Sequence, residues 1–225
     1  MRATRPDDAS RGPERPVGPP LPAEWYARPA EVVATALLGA LLRVVGRDGV
    51  ARWGRIVETE AYVGAHDLAC HAARGRTART EAMFGASGRA YVYLVYGMHE
   101  LFNVVTGDEG DAQAVLVRAV EPGRDVRGPA GERRGDGPGR LTRLLDIDRR
   151  HYGAPLDEAP VTIHAGPPPV DVVNGPRIGV DYAGLWASAP LRFADAESAH
   201  LSVPFSGTLG NSSRGARRSS RSPAT

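Results

Sequence analysis

Lysine is absent from this chain of 225 residues, and all 28 basic residues are arginine. Chemistry through a lysine Schiff base is therefore excluded. Cysteine occurs once, at Cys70, so no internal disulfide can form. A reducing, intracellular setting is the expectation. No run of the sequence approaches the ~18 apolar residues that span a bilayer, and no membrane partner is expected. The opening MRATRPDDASRGPERP has no apolar core segment, so no secretory signal is expected. Repeats at solenoid or propeller periods are also missing. The net charge is only +2, which does not by itself point to a nucleic-acid partner.

What is present falls into three parts. Residues 1–22 are proline-rich and poor in apolar side chains, and are expected as a disordered tail. Residues 207–225 carry Arg214, Arg217, Arg218 and Arg221 with no acid, and are expected as a second tail. Residues 23–206 form the expected single domain. Within it, Glu31 to Leu42 reads as a helix. RWGRIVETEAYVG (52–64), the two halves of YVYLVYGMHELFNVV (91–105) and AQAVLVRAVEP (112–122) read as strands. Residues 123–139 read as a long loop and RLTRLLDID (140–148) as a helix. APVTIHAG, RIGVDY and PLRFAD read as short strands. The pattern lacks regular βαβ alternation. It predicts a mixed α/β single domain: a curved, largely antiparallel sheet with peripheral helices and a protruding hairpin.

Several polar residues sit where strands seldom place them. Parity puts Arg118 on one face of a strand that is apolar on both faces, so its guanidinium needs a carboxylate or phosphate partner. A buried ion pair that only fixes the fold is the alternative reading. Glu58 and Glu60 share a strand face with Ile56 and Tyr62, and could form an acid–base pair with Arg118 beside them. A solvated acidic face is the alternative there. HDLACH (66–71) holds His66, Asp67, Cys70 and His71, but no second cluster supplies the ligands a tetrahedral metal site requires. The tip of the 91–105 hairpin presents Tyr96 and Met98, where water-compatible residues would be ordinary.

RIVETEAYVG, His71, MFG, AYVYLVYGMHELFNVV, AVLVRAVEP, GPGRL and RIGVDYAGLWASAPLRF follow one another in this order. In this the sequence resembles the 3-methyladenine (alkyladenine) DNA glycosylase family over about residues 25–202. The resemblance implies that Glu60 activates the attacking water and that Arg118 helps hold it. It implies that a flipped base stacks among Tyr62, His71 and Tyr93, with Asn103 narrowing the pocket toward purines. Tyr96 would enter the DNA at the hairpin tip with Met98 beside it, and Arg140 would lie near phosphate. The partner implied is double-stranded DNA with damaged purines, bound by a monomer, with no cofactor and no metal. The location implied is cytoplasmic, with the nucleoid DNA, or otherwise intracellular. Glu100 and Asp136 depart from the family pattern, Arg140 replaces its usual lysine, and the segment between Asn103 and Arg118 is longer than in some relatives. Two rival readings are a non-catalytic nucleic-acid-binding module and a metal-dependent nuclease using His66, Asp67 and His71.

Overall fold

A computed structural model of the chain describes residues 12–205. The expected tail at 207–225, and residues 1–11 of the other, lie outside the described residues. The remaining part of the first tail is in contact with the sheet: Pro20 bridges His164, and Leu21 N–H donates to Ile163 O at 2.7 Å.

Eight strands form one antiparallel sheet: β1 (Leu41–Val45), β2 (Ala51–Tyr62), β3 (Ala90–Val95), β4 (His99–Thr106), β5 (Gln113–Pro122), β6 (Val161–His164), β7 (Val172–Gly175) and β8 (Arg192–Asp195). Their main order is β3-β4-β5-β2-β1-β6. The 12-residue β2 organises the rest. One edge pairs with β5 from Gly54 to Tyr62, while the other pairs first with β1 (Ala51–Arg55) and then with β8 (Glu58–Glu60). β7 pairs only with β8. Glu58 and Glu60 therefore lie on the most enclosed strand, flanked on both edges, and the register with β5 is irregular around Glu58.

Helix α1 (Ala30–Ala36) starts after Pro29 and buries Ala30, Val33 and Ala34, an i, i+3, i+4 stripe. Thr59 Oγ1 donates to Ala34 O at 2.9 Å and fixes the helix over β2. Helix α2 (Pro138–Leu145) buries Leu141, Leu144 and Leu145. Each such leucine contributes about 1.5–3 kcal/mol of burial. Its Thr142 hydroxyl donates to Glu100 O at 2.9 Å, which seats α2 against β4 beside the hairpin.

Two expectations are corrected. The helix expected to reach Leu42 ends at Ala36, and Leu41–Val45 is instead strand β1, hydrogen-bonded between β2 and β6. Gly39, with φ +89°, breaks the helix, and its N–H donates to Ile56 O. RIGVDY is not a strand: it runs through Gly179, φ +76°, into a 3-10 segment, Asp181–Ser188. A side chain at Gly39 would place its Cβ 2.1 Å from Pro167 O in a left-handed backbone. Gly39→Ala should therefore cost at least ~1 kcal/mol of stability, read as a lowered urea midpoint at unchanged slope.

Candidate active site

Where the register between β2 and β5 is irregular, around Glu58, three charged side chains meet in the interior. Arg118 Nε donates to Glu58 Oε1 at 3.0 Å and Arg118 Nη1 lies 3.1 Å from Glu60 Oε1; both carboxylates are fully buried. Burying an ion costs several kcal/mol unless its lone pairs are occupied. Here they are. Glu58 also accepts from Arg192 Nε at 2.7 Å, Ser202 N at 2.5 Å and Ser202 Oγ at 2.7 Å. Glu60 also accepts from the Tyr62 hydroxyl at 2.9 Å and from Ile178 N at 2.7 Å. Burial works against the Arg118 cation, but Glu60 and Glu58 outweigh it and raise its pKa. Burial, then the charge on Glu60, pushes the Tyr62 phenol well above its ordinary value, so it stays protonated and donates.

The two carboxylates differ in what they can do. Glu58 is held by two arginines and by Ser202, at the far end of the chain. Glu60 is held by Arg118 and Tyr62, and both of these line a cavity of about 220 Å³. Four further predicted residues line the same cavity: His71, Tyr93, Asn103 and Tyr96. His71 Nδ1 meets the Tyr91 hydroxyl at 2.8 Å, and its ring centroid lies 4.5 Å from that of Tyr93. Burial, followed by the charges of Arg79 and Arg74, lowers the His71 pKa to about 4, so the imidazole is neutral near pH 7. Asn103 sits on β4 opposite Tyr91, and its amide donates to Tyr91 O at 3.0 Å, which fixes its orientation.

The hairpin of β3 and β4 projects from this cavity. Tyr96 and Gly97 at its tip have φ of +51° and +69°, the sign that a tight type I′ hairpin turn demands. Tyrosine there is strained, since left-handed backbone favours Gly, Asn or Asp. The side chain is nevertheless 89% exposed, and Met98 is 72% exposed. Tyr96 and Arg118 also line a second groove of about 490 Å³ that runs to Gly137, Arg140 and Arg143. Arg140 is half exposed and pairs with Asp136 at 3.3 Å; Asp136 also pairs with Arg134. Glu100 is turned to Arg149 at 3.1 Å. Both departures from the family pattern are thus charge-paired.

The other cluster, HDLACH, comes apart in space. Asp67 is claimed by Arg177, through Nη1 and by a 2.8 Å bond from Nη2. His66 packs edge-on against Trp186, with ring centroids 5.4 Å apart. Cys70 is buried, which raises its thiol to about 11 and leaves it inert. Among the described residues, no group of three His, Cys, Asp or Glu side chains could hold a metal ion.

Sequence reasoning missed Arg177, Arg192 and Ser202. Their partners lie 110, 134 and 144 residues away, a separation that strand periodicity does not register.

The comparisons agree with one another. A family model described as "Methylpurine-DNA glycosylase (MPG)" matches residues 24–199. A Myxococcus xanthus (strain DK1622) protein is 56% identical over 184 residues, covering 81% of this chain and 93% of that protein. One from Anaeromyxobacter dehalogenans (strain 2CP-1 / ATCC BAA-258) is 50% identical, covering 82% and 86% respectively. One from Legionella pneumophila (strain Lens) is 44% identical, covering 81% and 97%. All three carry the name "Putative 3-methyladenine DNA glycosylase". Ser202 lies beyond the matched segment although it completes the carboxylate cluster.

Ser202→Ala should remove the hydroxyl's bond to buried Glu58 and the one it accepts from Arg118 Nε at 3.2 Å, while the backbone donor remains. The expected cost is about 1–2 kcal/mol of unfolding free energy by urea denaturation.

Proposed function

The chain belongs to the methylpurine-DNA glycosylase family, and from that premise we propose that it hydrolyses the N-glycosidic bond of damaged purines flipped out of duplex DNA. The observation that carries this reading is an aromatic cavity lined by Arg118 and Tyr62, the two partners of buried Glu60, beside an exposed tyrosine tip. Its substrates would be 3-methyladenine, 7-methylguanine and hypoxanthine. The cavity is below the ~300–1,000 Å³ of drug-sized pockets, which suits one base rather than a larger ligand.

A base inside a duplex cannot be reached, so it must leave the stack at a cost of a few kcal/mol. Tyr96, with Met98 beside it, is the wedge that fills the vacated place and offsets part of that cost. The base would stack on Tyr62 and Tyr93, whose π faces favour an electron-poor, alkylated ring. Neutral His71 offers its Nε2 to the base edge, since Nδ1 is engaged by Tyr91. Asn103, fixed by Tyr91 O, would stand against the exocyclic amino group of guanine. Arg140 would grip phosphate in the groove beside the hairpin.

In the chemical step, water attacks C1′ of the sugar and Glu60 accepts its proton. The electron pair of the C1′–N9 bond departs with the purine. Arg118, 3.1 Å from Glu60, is the cation paired with the carboxylate that takes the proton. That carboxylate also steadies the oxocarbenium character of the sugar. A cationic base such as 3-methyladenine leaves as a neutral purine; hypoxanthine needs protonation as it leaves. With no lysine in the chain, water is the nucleophile, and the strand stays intact at the abasic site. The protein would act as a monomer.

Glu60→Gln should keep its affinity for damaged duplex while single-turnover base release falls by about 10²–10⁴-fold. Release near the wild-type rate would move the base to another group, Glu58 first. Tyr96→Ala should lose about 1–3 kcal/mol of stacking, lowering excision from duplex roughly tenfold or more and from single-stranded DNA far less. Equal losses on the two substrates would make Tyr96 a folding residue.

A further inference from the structure

Arg177 and Asp67 form a fully buried ion pair one layer behind the candidate active site. Such a pair is weak evidence for stability, because desolvation consumes most of the attraction. Among the described residues Arg177 Nε also finds no acceptor, a further cost. Fold stability therefore does not account for an arginine here. Its contacts suggest another role. Arg177 Nη1 donates to Ala61 O at 2.8 Å, on the residue between Glu60 and Tyr62. Its guanidinium carbon lies 4.7 Å from the centroid of the Tyr62 ring. The next residue, Ile178, directs its N–H to Glu60 Oε1 at 2.7 Å. Asp67 in turn is fixed by Val63 N and Ala69 N, and it neutralises the guanidinium.

We propose that Arg177, clamped by Asp67, is a positioning residue that sets the aim of Glu60. It acts through three links: the β2 backbone at Ala61, the Tyr62 ring whose hydroxyl donates to Glu60, and the Ile178 N–H. This inference rests on the reading of Glu60 as the base. Arg177 touches no reacting atom. It adds no net charge to the site, because Asp67 balances it. What it supplies is orientation: a planar cation can hold a carboxylate bidentately while stacking on an aromatic ring, which an ammonium group cannot do.

The test compares wild type, Arg177→Met, Arg177→Lys and Asp67→Asn in the full chain. Three quantities are measured: the single-turnover rate constant for release of 7-methylguanine from methylated duplex, affinity for a duplex with an abasic-site analogue, and the burst amplitude. Misplacing a catalytic group by about 1 Å can cost on the order of 10²-fold. Arg177→Met should lower the rate constant by roughly 10–100-fold while affinity stays within about twofold. Tyr62→Phe combined with Arg177→Met should cost less than the product of the single losses, because both act through Glu60. A merely structural role would lower the amplitude, the fraction of folded enzyme, and leave the rate constant alone. Rate constants within about twofold of wild type in all three variants would overturn the proposal. If Arg177→Met does not fold, Arg177→Lys and Asp67→Asn carry the same comparison. Wild-type protein that releases no base would instead overturn the proposed function and is read separately.

Discussion

Arg118 is the cation that makes two buried glutamates possible on one strand. Without it, Glu60 would lose its paired cation and Glu58 would keep only Arg192. With it, β2 can run through the core and still hold a carboxylate against two groups that line the cavity, Arg118 and Tyr62. The sheet is built around that demand. β5 supplies Arg118 and β8 supplies Arg192, and both strands flank β2 where the acids sit. Ser202, just after the last strand, closes the remaining lone pairs of Glu58. Glu58 is thereby the anchor that holds Arg118 from one side, leaving Glu60 as the carboxylate next to cavity-lining groups.

The same division separates rigid from exposed parts. The cavity is walled by side chains that hold one another: His71 by Tyr91, Asn103 by the Tyr91 carbonyl, and Tyr62 by Glu60 and Arg177. The hairpin tip is the opposite, an exposed tyrosine in a backbone conformation that tyrosine disfavours. Strain of this kind persists where the surrounding strands fix the turn. In the proposed wedge role it would have a use, since the side chain is already held outward.

Strand periodicity made much of this legible. Parity along AQAVLVRAV placed Arg118 inward, and the alternation of ETEAY placed two acids on the strand that meets it. The hairpin and its odd tip followed from alternation broken by a glycine. The helix beyond Gly39 was misread because a short apolar run does not distinguish a buried helix from a buried strand. Here pairing of Leu41–Val45 with two strands decided the matter. RIGVDY alternates like a strand, but Gly179 turns it away, and its arginine serves a partner 110 residues distant. Side-chain contacts at that separation leave no mark on local pattern. For the same reason Ser202 read as part of an unremarkable end. The family's motif residues, by contrast, are local signatures, and they carried the site assignments that the physics of single strands left open.

The central claim is that a carboxylate and an arginine, with water as nucleophile, suffice to release a damaged purine. The most direct measurement is release of free 3-methyladenine from an alkylated duplex in the presence of a chelator, with borohydride present to trap any imine. The account predicts free base, an uncut abasic strand and no covalent protein–DNA adduct. Failure to release base, release abolished by the chelator, or an adduct formed in step with release would contradict it.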